Sequence, residues 1–332
     1  MNPKVSILVP IYGVEKFIER CAVSLFEQTF EDIEYIFVND CTPDDSVDVL
    51  NKTLERYPTR KSQVKIINHK LNIGLAGARN TGVENSVGDY LLHVDSDDYL
   101  ELNAIEILYR KAIHDNAEIV ISDYYIEWTN TMTVVKQNIY TSHKTDLLNN
   151  MLSCKMPSPL WNKLIKRNLY IQNNITATNG INLGEDYMVA PKLIFFANKI
   201  SQVDEALYYY CQTNSNSYTN GILTKSNVDN LLFVLENLNI FFKSLPNFKL
   251  YKNALIQGQF KKKMYLLFYS ESRYISEIFH KFPESNNHNY LDLSSKRDRI
   301  SFALLNRGFF MIFNIYRKIY IIMHNFKKII SK

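Results

Sequence analysis

Short apolar runs alternate with helical patterns along the first part of the chain, and this alternation predicts the fold. Runs of strand length occupy 5–11, 33–39, 64–68, 88–94 and 118–122. Apolar positions recur at helical spacing over 14–28, 44–57, 73–86 and 102–114. Strands and helices joined by short connections predict an α/β fold, with a mostly parallel sheet that helices cover on both faces.

The pattern loosens after residue 124. Further elements are predicted as an antiparallel excursion within 124–142, helices over 144–152, 160–171 and 185–197, and a strand over 206–211. From about residue 228 onward helix formers and aromatic residues dominate, and the polar stretch 283–289 is predicted to be a linker. We therefore expect a main domain followed by a helical region.

Composition narrows the class of protein. A chain of 332 residues, 46% of them hydrophobic, can form a large core and an accessory region. Its four cysteines lack metal-site spacing, which argues against a zinc site and favours a reducing compartment. No signal-peptide pattern precedes the first strand, so we expect a cytoplasmic location. The net charge of +4 is too small to predict a nucleic-acid partner.

The strongest chemical signal is the run Asp95, Ser96, Asp97 and Asp98 at the end of the fourth predicted strand. Ligands bind at the carboxyl ends of strands in such sheets. Carboxylates there favour a hard cation, Mg²⁺ or Mn²⁺, that would hold a diphosphate. The alternative is a polar turn that caps the next helix.

Two more strand ends point to the same sheet edge. Tyr12 follows the first strand and offers a flat face to a base, whereas Asp40 follows the second and could accept hydrogen bonds from a base or ribose. Alternatively, Asp40 caps a turn. Three strand ends would then converge on one crevice.

Four segments, in this order and spacing, resemble family 2 glycosyltransferases with the GT-A fold. They are VSILVPIYGVEK at 5–16, VND at 38–40, NIGLAGARNTG at 72–82 and HVDSDD at 93–98. The resemblance extends over residues 4–122. We therefore expect a GT-A domain over 1–220, with a nucleotide-binding half at 1–122 and an acceptor half at 123–220, followed by a helical, basic region at 221–332.

The resemblance also implies roles for individual residues. Those implied to contact the nucleotide are Pro10, Tyr12, Glu15, Asp40, Asn72, Arg79, Asp95 and Ser96. Asp97 is implied to bind the metal, Mn²⁺ or Mg²⁺, together with Asp95. Two alternatives stay open, since Arg79 could pair with a carboxylate in the core and Asn72 could begin a helix.

In the second half, Glu185 and Asp186 match an acidic pair that precedes a helix in the family. Inverting sugar transfer needs a carboxylate that takes the proton from the acceptor hydroxyl. The resemblance assigns this base to Asp186, with Glu185 assisting or capping the helix. The metal would replace a general acid at the departing diphosphate. The alternative is an acidic helix start favoured by the helix dipole.

The segment 159–164 resembles one found ahead of that acidic pair. Trp161 and Lys163 are therefore predicted to contact the acceptor, although Trp161 could instead be a core aromatic residue.

Three positions depart from the family pattern. Cys211 stands near a strand end where relatives commonly have Arg, with Lys225 as a candidate substitute. Cys41 replaces the usual Gly after Asp40. His93 precedes Asp95 and is expected to face the core.

The last residues form a basic and apolar tail. Residues 296–332 contain nine Lys and Arg against the single Asp298. The uncharged run 308–316 is far shorter than the roughly 20 residues that a spanning helix needs. An amphipathic helix over 300–332 that lies on an anionic membrane is one interpretation, and a helix packed on the protein is the other.

Taken together, these features predict a metal-dependent, inverting glycosyltransferase. It would move a sugar from a nucleotide donor, in particular a UDP-sugar, to a saccharide or lipid-linked acceptor in bacterial surface-glycan synthesis. One alternative is a sugar-phosphate nucleotidyltransferase, which would need a glycine-rich, basic loop after the first strand that 12–16 does not provide. The other is a non-catalytic subunit of a glycan assembly complex.

Overall fold

A computed structural model describes residues 3–139, 143–214, 223–287 and 295–330, with side chains in the last helix described as far as residue 323. The chain forms two compact units. The first comprises Met1–Leu148 and Ser158–Asn220, and the second comprises Asn149–Pro157 and Gly221–Lys332. Residues 149–157, expected in the first domain, thus group with the second unit.

Within the described residues, the first unit is built around a nine-stranded sheet. Its strands are β1 (Val5–Ile11), β2 (Ile33–Asn39), β3 (Val64–Asn68), β4 (Tyr90–His93), β5 (Tyr99–Leu100), β6 (Ile119–Glu127), β7 (Met132–Val135), β8 (Lys163–Lys166) and β9 (Ile200–Cys211). The strand order is β3-β2-β1-β4-β8-β6-β9-β5, with β7 paired to β6. This mostly parallel core confirms the predicted α/β class.

The helices that accompany the sheet are α1 (Ile18–Phe26), α2 (Ser46–Glu55), α3 (Gly74–Glu84), α4 (Ala104–Asp115), α5 (Lys144–Leu152), α6 (Arg167–Gln172) and α7 (Glu185–Phe196). A 3₁₀ helix, Pro58–Gln63, precedes β3. Helix α5 crosses the boundary between the two units. The strand residues that face the helices are apolar and buried, and they form the main core with α1, α2 and α4.

The register of the first four strands brings their carboxyl ends to one edge. In the parallel pair β1 and β2, Ile11 lies opposite Asn39, and in β1 and β4, Leu8 lies opposite His93. The segments that leave these strands carry Tyr12, Asp40 and Asp95. The convergence of three strand ends, expected from the alternating pattern, is therefore present.

The predicted helix over 160–171 is wrong in its first part. Lys163–Lys166 is a strand that pairs antiparallel with both β4 and β6, and only Arg167–Gln172 is helical. Four residues with a buried apolar centre do not distinguish a strand from a helical turn, and the free edges of β4 and β6 decide the outcome. Strand β6 also continues past residue 122, so the expected division at that residue falls inside a strand.

The start of α3 is fixed by the loop that leads into α7. Gly74 has φ +83°, a conformation that favours glycine, and a Cβ there would lie 2.5 Å from Asn182 Oδ1. That oxygen accepts a hydrogen bond of 2.8 Å from the Leu75 N–H. Further along α3, the Asn80 amide group exchanges hydrogen bonds with the Ala177 backbone. Helix α3 therefore supports the segment that precedes Glu185.

The second unit is helical. It contains α8 (Lys225–Lys243), α9 (Lys252–Tyr269), α10 (Ile275–His280), α11 (Lys296–Asn306) and α12 (Phe310–Ile330), with 3₁₀ helices at Phe248–Leu250, Ser272–Tyr274 and Pro283–Asn286. The linker predicted at 283–289 thus begins with a 3₁₀ helix whose Ser285 is buried, while 288–289 lie outside the described residues. Within the described ranges, no helix is both long and apolar enough to cross a membrane.

We predict that Gly74→Ala lowers the free energy of unfolding by about 2–3 kcal/mol, because a left-handed residue with a Cβ costs about 1–2 kcal/mol and the Asn182 hydrogen bond adds about 1. Gly180 is the matched control, since it has φ +82° and no atom near its Cβ position. Gly180→Ala should cost only about 1–2 kcal/mol. Urea denaturation measures both, and equal losses would contradict the proposed contact.

Candidate active site

A buried arginine lies at the centre of the candidate site. The Arg79 guanidinium contacts Asp95 Oδ1 at 2.7 Å and Glu185 Oε1 at 2.6 Å, and it also donates to Asp186 Oδ1. The four side chains come from three places in the sequence, namely α3, the end of β4 and the first turn of α7. Of the two interpretations of Arg79, pairing with carboxylates is the one seen here.

Local structure explains how the acidic pair reaches this position. Gly184 has φ +88° and ends the loop with a left-handed turn, after which Glu185 and Asp186 form the first turn of α7. Carboxylates are stabilised at a helix N-terminus by its exposed N–H groups. The helix dipole and Arg79 therefore hold the same two side chains.

The charges in this cluster do not balance. Burial alone would lower the pKa of Arg79, but the carboxylates of Asp186, Asp95 and Glu185 raise it well above its usual value, so the guanidinium stays charged. One positive charge faces three carboxylates. The site therefore favours a further cation.

Asp186 has the protonation behaviour of a general base near neutral pH. Burial raises its pKa to about 7, the neighbouring Glu185 and Asp95 act in the same direction, and Arg79 opposes them. A base whose pKa lies close to the working pH is suited to proton transfer. A perturbed carboxylate beside an arginine is also typical of functional sites.

The acidic run after β4 divides into residues with different surroundings. Asp97 accepts a hydrogen bond of 2.9 Å from Asn214, and burial together with Asp95 raises its pKa. Asp98 is fully buried and accepts hydrogen bonds from the Tyr208 hydroxyl and the Cys211 N–H, each at 2.7 Å. Asp98 thus ties the run to β9, a role that its position in the sequence did not reveal.

The oxygen atoms of Asp95 and Asp97 fit a divalent cation whose remaining ligands would come from a bound phosphate compound and water. Two hard oxygen donors occur in one turn, and burial, together with the negative charge of Asp95, raises the pKa of Asp97. Among the described residues no three His, Cys, Asp or Glu side chains are arranged to hold a metal by themselves. Mg²⁺ and Mn²⁺ commonly complete such sites with phosphates and water.

Asp40 is buried at the start of α3. Its Oδ1 accepts from the Ile73 N–H at 2.9 Å and its Oδ2 accepts from the Gly74 N–H at 2.8 Å, which is a helix-capping arrangement. His69, which sequence reasoning missed, lies 2.8 Å from Asp40 Oδ1 and 2.9 Å from Thr81 Oγ1. The implied contact of Asp40 with a nucleoside stays a prediction.

The other residues implied to contact the nucleotide lie around the same edge. Tyr12 is 45% exposed, and Glu15 is exposed and accepts a hydrogen bond from the Asp45 N–H. Asn72 is exposed and accepts from the Gly74 N–H at 3.1 Å, which agrees with its alternative as a helix start. Pro10 is half-buried and Ser96 is buried.

The turn after β2 keeps its shape without glycine. Cys41 has φ +58°, the left-handed conformation that a glycine would adopt at lower cost. The substitution noted in the sequence therefore leaves the backbone turn in place.

The predicted acceptor contacts of Trp161 and Lys163 are not supported by their positions. The Trp161 ring is buried and stacks on Tyr208 with the ring centres 4.4 Å apart, as the core alternative expected. Lys163 is also buried, donates to Pro159 O and Asn162 Oδ1, and has its pKa lowered by burial to about 7. Neither side chain offers a surface to an acceptor.

A guanidinium lies close to the cysteine that departs from the family pattern. Arg20 of α1 contacts Cys211 Sγ at 2.9 Å and the Asp97 carbonyl oxygen at 3.3 Å. It was not singled out in the sequence because α1 shows only a helical pattern. Lys225, the candidate substitute, is instead paired with Asp229 and Glu277 in the second unit.

His93 faces the core, as predicted. Its Nε2 lies 3.0 Å from the Tyr170 hydroxyl, and burial together with Arg79 lowers its pKa to about 3, so the ring is neutral. His93 Nδ1 and Arg79 Nε have no hydrogen-bond partner within the described residues. Both residues line one small cavity of about 10 Å³ behind the guanidinium.

Two relatives with known sequences resemble this chain. The uncharacterized glycosyltransferase EpsJ of Bacillus subtilis strain 168 is 34% identical over 225 residues, which are 66% of this chain and 64% of that protein. The poly(ribitol-phosphate) beta-glucosyltransferase of Bacillus spizizenii is 32% identical over 211 residues, which are 62% of this chain and 32% of that protein. The chain thus spans less than two thirds of the length of either relative.

Two solved structures share the fold. S. aureus TarS in complex with UDP-GlcNAc has a TM-score of 0.61 at 17% identity and covers 85% of this chain and 88% of that one. The mannosyltransferase PcManGT of Pyrobaculum calidifontis, in complex with GDP-Man and Mn²⁺, has a TM-score of 0.56 at 13% identity, with 96% and 84% covered. These likenesses bear out the predicted GT-A-like fold.

A family model extends this likeness to the sequence. The model described as "Glycosyl transferase family 2" matches residues 6–174, which is more than half of the chain and extends from within β1 to beyond β8. On this evidence, the chain belongs to glycosyl transferase family 2.

Proposed function

We propose that this protein is an inverting, metal-dependent glycosyltransferase. It would transfer a sugar from a nucleotide donor, in particular a UDP-sugar, to a saccharide or lipid-linked acceptor in bacterial surface-glycan synthesis. One observation carries the proposal: Arg79 joins Asp95, on the strand edge where a nucleotide would lie, to Glu185 and Asp186 at the start of α7. A carboxylate at the proposed nucleotide site and the proposed catalytic base thereby lie in one site.

Each group then has a distinct task. Asp95 and Asp97 would hold Mn²⁺ or Mg²⁺, which when bound neutralises the charge of the departing diphosphate. Asp186 would accept the proton of the acceptor hydroxyl, because its pKa of about 7 leaves it partly deprotonated at neutral pH. Arg79 would orient Asp186 and pair with Glu185 beside it.

The donor and the pathway are supported by analogy. A structural neighbour binds UDP-GlcNAc, and another binds GDP-Man with Mn²⁺. One relative is named a poly(ribitol-phosphate) beta-glucosyltransferase, which is consistent with a polymeric surface acceptor. Family membership and the carboxylate cluster favour this function over a nucleotidyltransferase or a non-catalytic subunit.

The last helix supports the further proposal of a membrane contact through residues 300–332. One face of α12 is packed, since Phe313 is buried and Arg317 donates to the carbonyl oxygens of Leu267 and Ser270 at 2.6 and 2.8 Å. The other face exposes more than half of each of six apolar side chains, namely Met311, Ile312, Ile315, Ile319, Ile322 and Met323. Their spacing places them on one side of the helix.

We infer that this outer face lies on an anionic membrane surface. Apolar side chains of an amphipathic helix insert shallowly, and nearby basic residues such as the exposed Lys318 are attracted to anionic headgroups. The two interpretations of the tail then apply to opposite faces of α12. One face packs on the protein, and the other contacts lipid.

For the metal site, we predict that Asp97→Ala weakens the Mn²⁺-dependent binding of UDP at least about tenfold, because a direct ligand of the cation is lost. Isothermal titration with and without Mn²⁺ measures the effect. Asp48→Ala, on the exposed side of α2, is the control and should bind UDP normally. If Asp97→Ala bound UDP in the presence of Mn²⁺ as tightly as the unmodified protein, Asp97 would not be a ligand of the metal.

For the base, we predict that kcat rises about tenfold per pH unit below about pH 7 and levels off above it, because Asp186 acts only when deprotonated. Asp186→Asn should lower kcat by about 10² or more and abolish this pH dependence. Initial rates of nucleotide release across pH provide the measurement. The idea fails if Asp186→Asn keeps the wild-type profile.

For the membrane contact, we predict that the full chain floats with vesicles of phosphatidylcholine and phosphatidylglycerol, and less so at high salt. Replacing Ile315 and Ile319 together with Glu should reduce binding at least about tenfold, since burying each Ile contributes about 1.5–3 kcal/mol. Leu71→Glu with Ile113→Glu, two exposed apolar positions elsewhere, is the control. Equal flotation of both double variants would refute a role for the outer face.

A further inference from the structure

The second unit contains a groove of about 670 Å³ that no part of the proposed reaction uses. Its walls come from α8 and from α10 with the turn that follows, and α9 contributes a residue to its lining. Small-molecule sites in proteins are clefts of roughly 300–1,000 Å³. The groove therefore has the size of a binding site for a ligand of several rings.

Helix α9 directs two buried polar side chains to this region, one turn apart. The Lys263 ammonium lies within 3.0 Å of four oxygens, which belong to Phe279, Lys281, Ser285 and Asn286. Gln259 lines the groove and is only 5% exposed, yet its amide has no hydrogen-bond partner in the part of the chain that the structure describes. Neither amide atom of Gln259 is shut off from solvent, so a ligand in the groove could take the place of the water that these atoms meet.

The turn opposite α8 is held in a defined shape. Phe282 has φ +50°, a conformation that is rare for an aromatic residue. The contacts of Lys263 with residues on both sides of Phe282 hold the turn. Backbone strain of this kind persists where the surrounding structure enforces it, and binding sites are common places for it. One aromatic wall of the groove is therefore preformed.

The charges along the groove exclude several classes of ligand. Its carboxylates are Asp229, Glu236, Glu277 and Glu284, and its ammonium groups are Lys243 and Lys281. Asp229 and Glu277 share Lys225 at 2.7 and 2.9 Å, so little net charge remains. A nucleotide or polyphosphate would find no excess of cations, and a polycation would find few free carboxylates.

A neutral ligand rich in hydroxyl groups fits the polar and aromatic side chains that line the groove. Carboxylates accept hydrogen bonds from hydroxyls, an amide group both accepts and donates them, and aromatic rings pack against the apolar faces of sugar rings. Phe233 of α8 is 44% exposed and lines the groove with Phe282.

We propose that this groove is an oligosaccharide-binding site, with the Gln259 amide as its central hydrogen-bonding group and Phe233 as its stacking surface. The site lies wholly within the second unit and does not depend on the proposed transfer reaction.

The test uses the full chain with chitotetraose, cellotetraose, maltotetraose and mannotetraose, observed by saturation-transfer difference NMR. At least one tetrasaccharide should bind, and Gln259→Leu and Phe233→Ala should each weaken it about tenfold. Gln259→Leu replaces an unpartnered amide with an apolar group, so its melting temperature should not fall. Loss of binding would then be separate from loss of folding.

Phe309→Ala is the matched control, because Phe309 is 45% exposed but does not line the groove. It should leave saccharide binding unchanged, and all three variants should still bind UDP with Mn²⁺. Asp97→Ala should keep saccharide binding, so the two sites can fail independently. The proposal is overturned if no tetrasaccharide binds, if both groove variants bind normally, or if spermidine or inorganic phosphate competes for the groove.

Discussion

The arrangement of the first unit depends on one buried guanidinium held by three carboxylates. A charge removed from water is costly unless it is paired, and here each partner requires the other. If Asp95 moved away from Arg79, or if Glu185 and Asp186 did, the buried guanidinium would lose part of its pairing. The ion cluster therefore fixes the distance between a strand edge and a helix end that are about ninety residues apart in the sequence. The same cluster retains excess negative charge, which a cation would complement, and that cation could in turn bind a phosphate.

Helix α3 holds Arg79 in place through its contacts with two other parts of the first unit. Its start is capped by Asp40, which follows β2, its first turn contacts Asn182 from the loop before α7, and Arg79 projects from its second turn. Small residues along α3 allow this close packing, as the approach of Gly74 to Asn182 and of Gly82 to Leu8 indicates. The strand edge that carries Asp95 and the acidic pair are thus aligned by a single element. This arrangement also explains why the glycines of α3 are part of the site although none of them carries chemistry.

The sequence predicted those parts that depend on local pattern. The acidic run at Asp95 and Asp97 follows from periodicity, which places it at a strand end, whereas the acidic pair was located by its resemblance to the family. What it missed depends on contacts between distant segments. Strand β8 forms because β4 and β6 leave edges to be paired, Asp98 is used by β9, and His69 and Arg20 acquire partners only when strands and helices meet. Trp161 and Lys163 were predicted to contact an acceptor, with a core position as the alternative for Trp161, because residue type alone does not reveal that both side chains are buried.

Buried cations that bind carbonyl oxygens recur through the protein and change how its basic residues should be interpreted. Arg60 binds the carbonyls of Phe26 and Gln28 at the end of α1, Lys263 binds those of Phe279 and Lys281 after α10, and Arg317 binds those at the end of α9. Carbonyl groups at helix ends lack helical partners and carry partial negative charge, so a cation stabilises them without a carboxylate. Arg317 contributes to the charge of the tail, yet it is turned inward and unavailable to lipid. The affinity of the proposed membrane contact should consequently depend more on the six apolar side chains of the outer face than on the formal charge of the tail.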